Sequence, residues 1–319
     1  MSLIQAIVVD PTVTGRLAIR EVAWPIPAPS EALVRVRAIS LNVGDIYRIP
    51  IAEAGWRPGW DLAGIVEQAA ADGSGPKVGT RVTGLRGARF GAWAELVAVP
   101  TSWLAEIPQE VTFAQAAALP TAGLTALYAL EKGGFLLNRN VLVTGASGGV
   151  GHFVCQLARQ AGAYVVGAVR RPERAAIVEE MGVQHVIVGE DISAARQFGP
   201  YHLIIDVLGG NTLATALTTL LIPNGLCVNL GILESPEVRL NLVSIFGQTG
   251  GVNLCELVLF TELEHRSGAE DLSSLARMVA EKRLQPQIDA ELPWTEIVEV
   301  VQRFRDRRIT GKAVLHITP

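Results

Sequence analysis

The chain has 319 residues, of which 49% are hydrophobic and 18% charged, and its formal net charge is −4. This length and composition suit two folded domains and exclude a disordered chain, and the acidic balance excludes the basic footprint of a nucleic-acid-binding protein. No apolar run approaches the roughly 18 residues that span a bilayer, and the N-terminus lacks a signal-peptide pattern. We therefore expect a cytoplasmic protein that acts on small molecules, with no nucleic-acid partner and no membrane association.

The first part of the chain, residues 1–115, is predicted to be rich in β-strands. Short apolar or alternating runs separated by proline and glycine turns predict strands at Ala6–Val9, Ala32–Leu41, Gly64–Gln68 and Ala94–Val99. Their spacing predicts a barrel-like domain.

From about Thr112 the pattern changes to alternating helices and strands. A long helical stretch, Phe113–Glu131, is interrupted at Pro120. Beyond it, strands are predicted at Val141–Thr144, Tyr164–Val169, His185–Val188, His202–Asp206 and Leu226–Leu230, and helices at Val150–Ala161, Arg174–Met181 and Thr212–Leu221. Such alternation predicts a doubly wound parallel sheet, with a last strand near Gly251–Leu254.

The C-terminal segment carries three more predicted elements. They are a helix at Asp271–Lys282, an amphipathic helix at Thr295–Asp306 and a terminal strand at Lys312–Ile317. Periodicity alone does not say which domain they join.

A glycine-rich turn follows the strand Val141–Thr144 and opens a helix. Glycines let the backbone approach a pyrophosphate, and N–H groups at a helix start favour its negative charge. The residues predicted to bind a dinucleotide here are Ala146, Ser147, Gly148, Gly149 and Val150. Because Ala146 stands where the G-x-G-x-x-G fingerprint has its first glycine, an ordinary strand-to-helix turn is the alternative.

The next strand, Tyr164–Val169, ends in Arg170 and Arg171. At this position an acidic side chain binds the ribose 2′-hydroxyl of NADH, whereas an arginine accommodates the 2′-phosphate of NADPH. The pair therefore predicts NADPH as the cofactor. The alternative is two solvated arginines at a helix start.

Two further turns follow the fourth and fifth strands of the predicted sheet. Ligands collect at the carboxyl ends of strands in open parallel sheets, so backbone contacts to the cofactor are expected from Leu208, Gly209, Leu230, Gly231 and Ile232. Simple strand-to-helix turns are the alternative.

Several ordered segments resemble the medium-chain dehydrogenase/reductase superfamily, in its zinc-independent quinone oxidoreductase branch. Besides the glycine turn they are Ala38–Asp45, Pro58–Val66, Val78–Val82, Ala118–Ala126 and Thr310–Leu315. The resemblance implies an α/β fold in which a Rossmann dinucleotide-binding domain, residues 116–260, is inserted in a β-rich GroES-like catalytic domain, residues 1–115 and 261–319.

Zinc-dependent members that resemble this chain carry a cysteine where Asn42 stands and a His-Glu pair where Trp60 and Asp61 stand. No four-cysteine lobe is present either, so no metal is expected. Without a metal to stabilise an alkoxide, the resemblance favours activated acceptors such as quinones or enones, for which hydrogen-bond donors suffice.

The resemblance also implies roles for individual side chains. Asn42 and Tyr47 are the expected catalytic donors, although Tyr47 is equally consistent with an aromatic plug in the barrel wall. Asp45 and Asp61 are given no role beyond local capping.

Four more side chains are assigned by the same resemblance. Thr121 and Thr125 are expected to contact the cofactor, with hydrogen bonding within their own helix as the alternative. Trp60 and Trp93 are expected to line the substrate pocket, with filling of the core as the alternative.

The leading hypothesis is an NADPH-dependent, zinc-independent reductase that transfers hydride to a quinone or an α,β-unsaturated carbonyl. The alternatives are an enoyl-thioester reductase and an NADPH-binding protein without turnover. The strand near Gly251–Leu254 would leave an exposed sheet edge, which predicts a homodimer. The segment Arg48–Arg57 is shorter than the corresponding family loop, so the identity of the acceptor stays open.

Overall fold

Both ends of the chain build one unit, residues 1–124 together with 263–319, and residues 125–262 build another. The structure, a computed structural model, describes residues 2–248 and 251–317. The first division falls inside the helix Pro120–Lys132. We call the two parts the catalytic unit and the Rossmann unit.

The described residues form the following elements in chain order. The strands are β1 (Leu3–Val9), β2 (Leu17–Ala23), β3 (Glu31–Ser40), β4 (Asp61–Gln68), β5 (Arg81–Leu85), β6 (Leu96–Pro100), β7 (Leu104–Glu106), β8 (Asn140–Thr144), β9 (Tyr164–Val169), β10 (His185–Val188), β11 (Tyr201–Asp206), β12 (Leu221–Asn229), β13 (Asn253–Glu256), β14 (Ile288–Pro293) and β15 (Lys312–His316). The α-helices are α1 (Val43–Arg48), α2 (Phe113–Ala117), α3 (Pro120–Lys132), α4 (Gly151–Gln160), α5 (Ala175–Glu180), α6 (Gly210–Thr215), α7 (Leu242–Gln248), α8 (Leu259–His265), α9 (Ala269–Ala280) and α10 (Ile297–Arg305).

The catalytic unit is built around the long strand β3. This strand pairs in antiparallel fashion with β4, β6 and β15. Six strands of this seven-stranded sheet follow the order β14-β15-β3-β4-β5-β7, and the seventh, β6, pairs with β3 outside that order. Val314 in β15 lies opposite Ser40 in β3. The C-terminal segment therefore returns to the first domain, as the resemblance implied.

Apolar side chains on β3 and its neighbours fill the core of this unit. Val34, Ile39 and Leu62 are fully buried, and each such side chain stabilises the fold by about 1.5–3 kcal/mol relative to an exposed position. Helix α10 contributes Ile297, Val300 and Val301 to the same cluster. Their spacing of three and four residues places them on one face of the helix.

The Rossmann unit contains a six-stranded parallel sheet of order β10-β9-β8-β11-β12-β13. The chain proceeds from β8 to one edge, returns to β11 and proceeds to the other edge. The predicted doubly wound sheet is thus confirmed. Its strand order reverses between β8 and β11, and the carboxyl ends of the strands at such a reversal are where open sheets bind ligands.

The predicted strands and helices of this unit lie within one residue of the observed boundaries, with three exceptions. Strand β12 begins at Leu221, before the predicted start at Leu226, and β13 spans Asn253–Glu256 where Gly251–Leu254 was predicted. The predicted helix Thr212–Leu221 is α6 followed by a π-helical turn at Ala216–Leu220. Within the described part of the chain, no helix is long and apolar enough to cross a membrane.

Candidate functional site

Strand β8 ends in a tight turn that starts helix α4. Gly145 has a φ of +60°, which side chains rarely permit, and its carbonyl oxygen accepts a hydrogen bond from the Gly148 N–H at 2.9 Å. A Cβ at Gly151 would meet the same carbonyl oxygen and the Ala146 Cα. Only glycine therefore fits at the start of α4, and the turn stays tight enough for a phosphate to approach its backbone.

The turn is partly open to solvent, including at Gly145. Ala146 and Ser147 are buried, at 0% and 4% exposure, whereas Gly148, Gly149 and Val150 are partly exposed. An anion would meet this exposed backbone at the positive end of a ten-residue helix. The geometry fits a pyrophosphate even though Ala146 stands at a glycine position of the fingerprint.

A buried histidine forms a hydrogen bond to the backbone of this turn. His152 is fully buried, and its Nδ1 lies 2.9 Å from the Gly148 carbonyl oxygen. Because a carbonyl only accepts hydrogen bonds, Nδ1 carries the hydrogen. The ring therefore helps to fix the backbone of the predicted phosphate site.

A buried carboxylate ties together the strand ends at the sheet reversal. Asp206, fully buried at the end of β11, accepts hydrogen bonds from Thr144 Oγ1 at 2.7 Å, the Gly209 N–H at 2.8 Å and Asn229 Nδ2 at 2.8 Å. Burial raises the pKa of Asp206, and these hydrogen bonds oppose the shift. The carboxylate thus holds the ends of β8, β11 and β12 in register.

The same network fixes the two turns predicted to contact the cofactor. The Leu208 N–H donates to Asp206 Oδ1 at 3.3 Å. The Leu230 N–H donates to the backbone carbonyl of Asp206 at 2.7 Å. Asn229 Nδ2 also donates to the Gly231 carbonyl at 2.9 Å. Ile232 continues this turn and is 60% exposed.

The arginine pair at the end of β9 is exposed, as a site for a 2′-phosphate requires. Arg170 acts electrostatically on Glu234, whose carboxylate accepts hydrogen bonds from the Asn211 N–H, the Thr212 N–H and the Thr212 hydroxyl. Partial burial opposes ionisation, but these hydrogen bonds and the charge of Arg170 together lower the pKa of Glu234. The Glu234 carboxylate is thus fixed by its own hydrogen bonds and interacts with the charge of Arg170, while Arg171 is also exposed.

A cluster of charged and amide side chains lies buried in the catalytic unit. We call it the Lys312 cluster, and it consists of Asn42, Asp45, Asp61, Thr121 and Lys312. The Lys312 ammonium donates to Asn42 Oδ1 at 2.6 Å and lies 3.6 Å from Asp61 Oδ2. Asn42 Nδ2 in turn donates to Asp61 at 2.8 Å and to Asp45 at 3.3 Å.

Local structure places each member of this cluster. Asn42 precedes α1, and its N–H donates to the side chain of Asp45 three residues later at 3.0 Å, which caps the helix start. Asp61 is the first residue of β4 and accepts hydrogen bonds from the Thr121 N–H and hydroxyl at the start of α3. Lys312 is the first residue of β15.

Burial dominates the electrostatics of the Lys312 cluster. Desolvation raises the pKa of Asp61, while Lys312 and the hydrogen bonds of Asn42 and Thr121 oppose the shift. Desolvation raises the pKa of Asp45 much further, with the charge of Asp61 adding to it. The pKa of Lys312 is lowered by burial, against the attraction of both carboxylates. One ammonium and the Asp61 carboxylate thus form the ion pair, and Asp45 favours its protonated form.

The side chains of this cluster do not fit a zinc ion. An ammonium lies beside the amide and the carboxylate that stand at zinc-ligand positions, and zinc needs cysteine, histidine or carboxylate ligands whose lone pairs are free. Asp61 already accepts from Asn42 and Thr121. Among residues 2–248 and 251–317, no group of three or more His, Cys, Asp or Glu side chains is arranged to hold a metal.

The two expected catalytic residues differ in whether they have a hydrogen free to donate to a substrate oxygen. Both amide hydrogens of Asn42 are donated to carboxylates, and its oxygen accepts from Lys312, so in this arrangement the amide has no hydrogen left for a substrate oxygen. Tyr47, by contrast, is 61% exposed near the end of α1, which does not match an aromatic plug in the barrel wall.

The other expected site residues have different surroundings in the structure. Trp93 is fully buried in the hydrophobic core, with the backbone of Gly59 against its indole ring, so the structure corrects its assignment to the substrate pocket. Trp60 is partly exposed and its ring lies 5.2 Å from that of Phe90. Thr121 binds Asp61, and Thr125 is buried, 8% exposed, in α3.

Three important side chains were not among the sequence-based candidates. Asp206 follows the apolar run of β11, and an acidic residue ending a buried strand is the signal that could have identified it. Lys312 lies within the quoted segment Thr310–Leu315, but no local pattern shows that its ammonium is buried. His152 follows the glycine turn, but a single histidine in a helix gives no pattern that indicates this contact.

Comparisons with known proteins agree with this geometry. Residues 28–109 match the family model of the alcohol dehydrogenase GroES-like domain, and residues 149–257 match that of the zinc-binding dehydrogenase. A quinone oxidoreductase of Pseudomonas aeruginosa is 30% identical over 305 residues, which cover 91% of this chain and 92% of that protein.

Solved structures show the same fold. A quinone oxidoreductase of Pseudomonas syringae pv. Tomato superimposes with a TM-score of 0.84 at 28% identity, covering 98% of this chain and 100% of its own. A mycobacterial protein solved in complex with NADPH has a TM-score of 0.84 at 23% identity, with coverage of 98% and 100%.

Proposed function

Because the chain belongs to the medium-chain dehydrogenase/reductase superfamily of NAD(P)-dependent oxidoreductases, in its quinone oxidoreductase branch, we propose that it is an NADPH-dependent, zinc-independent reductase of quinones or α,β-unsaturated carbonyls. The observation that carries this proposal is the Lys312 cluster. The Lys312 ammonium donates a hydrogen bond to Asn42 Oδ1 and pairs with the Asp61 carboxylate, the side chains that stand where zinc-dependent members carry ligands. The acceptor must therefore be reactive enough to take hydride without a Lewis acid.

The Rossmann unit supplies the residues that would hold NADPH. The exposed backbone of Gly148–Val150 suits the pyrophosphate, and the turns fixed by Asp206 suit the remaining backbone contacts. Arg170 and Arg171 are the cations for the 2′-phosphate. The mycobacterial protein with this fold, solved with NADPH, supports that choice.

The nicotinamide supplies the hydride, and the protein supplies orientation and hydrogen bonds. We assign the hydrogen bond to the acceptor oxygen to Tyr47, whose exposed phenol is a hydrogen-bond donor. Asn42 does not donate to the acceptor, because the Lys312 cluster engages its amide and holds it in one orientation. A solvent proton then completes reduction of the acceptor.

The test is oxidation of NADPH by the purified chain with a panel of uncharged and acidic quinones, enones and enoyl-CoA. We expect turnover of quinones or enones, with NADPH preferred over NADH. Stoichiometric NADPH binding without turnover of any acceptor would contradict the proposal, and turnover of enoyl-CoA alone would assign an enoyl-thioester reductase instead.

We also propose that the chain forms a homodimer through the β13 edge of the Rossmann sheet. Strand β13 pairs with β12 on one side, and Leu254 is 52% and Val258 49% exposed there. An unpaired edge with apolar side chains favours association with a second copy. Light scattering should give twice the chain mass, and Leu254→Lys should shift it toward the monomer. A wild-type chain that is monomeric at working concentration would refute the pairing.

A further inference from the structure

An open cavity of about 350 Å³ in the catalytic unit is lined by three arginines and two aromatic rings. The residues are Trp56, Arg57, Arg86, Arg89 and Phe90. None of its lining residues belongs to the Lys312 cluster, and none has been given a role above. The net charge of the chain is −4, so a local concentration of guanidinium groups runs against the overall charge.

Arg57 has unused hydrogen-bonding capacity in this cavity. Its Nε is buried and has no hydrogen-bond partner within the described part of the chain, and its Nη2 makes one long bond of 3.4 Å to the Gly91 carbonyl. Desolvation lowers the pKa of Arg57. A buried donor without a partner destabilises a protein, and an oxyanion is the group that satisfies a guanidinium best.

The other two arginines surround this site with further positive charge. Arg86 is anchored by the backbone carbonyls of Phe90, at 3.0 Å, and Ala98. Desolvation lowers the pKa of Arg86; Glu31 opposes that shift, whereas the charges of Arg57 and Arg89 add to it. Arg89 pairs with Glu31 at 2.6 Å. Three guanidinium groups line the cavity, and the one carboxylate that interacts with Arg86 and Arg89 is that of Glu31. The cavity therefore has an excess of positive charge.

The aromatic walls connect this cavity to α1. The rings of Trp56 and Phe90 lie 5.0 Å apart at 60°, and the guanidinium of Arg48 lies 5.0 Å from the Phe90 centroid. Arg48 follows Tyr47 at the end of α1. A planar molecule that contacts Phe90 could therefore extend from the arginines toward the Tyr47 end of the helix.

We propose that the Arg57, Arg86 and Arg89 cavity binds the carboxylate of the acceptor, so that the reductase prefers planar acceptors that carry an acidic group. A carboxylate is planar and accepts two parallel hydrogen bonds from a guanidinium, and the aromatic or enone part of the acceptor would pack against the rings of Trp56 and Phe90. The preference for acidic acceptors rests on the proposed reductase function, whereas the binding of a carboxylate does not.

Binding is tested first, on the full chain without cofactor, by calorimetry with benzoate, benzamide and inorganic phosphate. Benzoate is expected to bind more tightly than benzamide, and Arg57→Gln should weaken benzoate about ten- to a hundredfold, the range for one hydrogen bond to a charged group. Arg57→Lys should fall between the two, because it keeps the charge and loses the planar fork. Arg20→Gln is the charge-matched control, since Arg20 is exposed and pairs with Asp10.

Steady-state kinetics then test whether acceptors that carry a carboxylate are preferred. The ratio of kcat/KM for a carboxylated quinone to that for its methyl ester should fall at least about tenfold in Arg57→Gln and stay constant in Arg20→Gln. Melting curves report whether Arg57→Gln folds. If it does not, Arg89→Gln replaces it, because the Arg89 side chain lines the same cavity and is 62% exposed.

The outcomes separate the two proposals. Arg57-dependent benzoate binding without reduction of either quinone would refute the reductase and leave the carboxylate site standing. Equal losses for acid and ester, equal binding of benzoate and benzamide, or tighter binding of phosphate than of benzoate would overturn the carboxylate site, even if quinones are reduced.

Discussion

Replacing Lys312 by methionine removes the only ammonium of the Lys312 cluster, and its effect can be worked out from the contacts. The Asp61 carboxylate, 0% exposed, would lose a cation 3.6 Å away, and Asn42 Oδ1 would lose its donor at 2.6 Å. Removing one partner of a buried ion pair destabilises a protein by about 3–5 kcal/mol. For a unit of this size that corresponds to a decrease in Tm of about 6–20 °C.

The stability difference should also depend on pH. Burial already raises the folded-state pKa of Asp61, and loss of Lys312 raises it further. A carboxyl group whose folded pKa is raised stabilises the fold while it is protonated, and this stabilisation is lost as pH rises through the folded pKa. The difference between Lys312→Met and wild type should therefore be smaller at about pH 5 than at about pH 7.5.

Calorimetric melts and urea titrations at both pH values measure these effects. The double variant Lys312→Met/Asp61→Asn should recover part of the lost stability, because no buried charge is left unpaired. Arg20→Met, which removes an exposed cation, should change Tm little. A Lys312→Met protein within about 1 kcal/mol of wild type at neutral pH, or a difference that widens in acid, would refute the ion-pair account.

Three further predictions concern the cofactor and the acceptor. Arg170→Ala should weaken NADPH binding about tenfold or more and leave NADH binding unchanged in a fluorescence titration, since only NADPH carries the 2′-phosphate; equal effects on both would contradict the assignment. Gly151→Ala should abolish NADPH binding, because its Cβ would meet the Gly145 carbonyl oxygen, and Gly148→Ala, with a contact of 3.1 Å to the same oxygen, should be milder; equal affinities in both variants would show that the turn can relax. Tyr47→Phe should lower kcat/KM for the acceptor about 10- to 100-fold without lowering Tm, because the side chain is 61% exposed; unchanged kcat/KM would exclude Tyr47 as the donor.

The Rossmann sheet could be predicted from the sequence because its signals are local. Continuous apolar runs such as Tyr164–Val169 and His185–Val188 match strands β9 and β10 to the residue. The strands of the catalytic unit were harder to predict. The β2, β5, β7 and β14 segments were missed. Strand β7 has only three residues and β2 is mostly exposed or half-buried, so these two give weak apolar patterns.

The site was only partly predictable, because its chemistry depends on contacts between distant residues. Asn42 was identified by its place in a familiar segment, but its commitment to Asp61 and Lys312 is a property of the folded unit. Arg57 was noted only as the end of a short loop, and the cavity arises because β5 and the loop after it bring Arg86 and Arg89 beside it.

The Lys312 cluster also has a consequence for biosynthesis. Lys312 and Asn42 are separated by 270 positions, and at about 5–20 residues per second a ribosome needs some tens of seconds to make the intervening chain. During that interval the Asp61 carboxylate has no internal cation, so burying it is unfavourable. The Rossmann unit, whose sequence is continuous, can fold while it is being synthesised, whereas the catalytic unit must wait for β15. Ribosome-bound chains that stop before Lys312 should therefore already bind NADPH and still have an open, protease-sensitive N-terminal part.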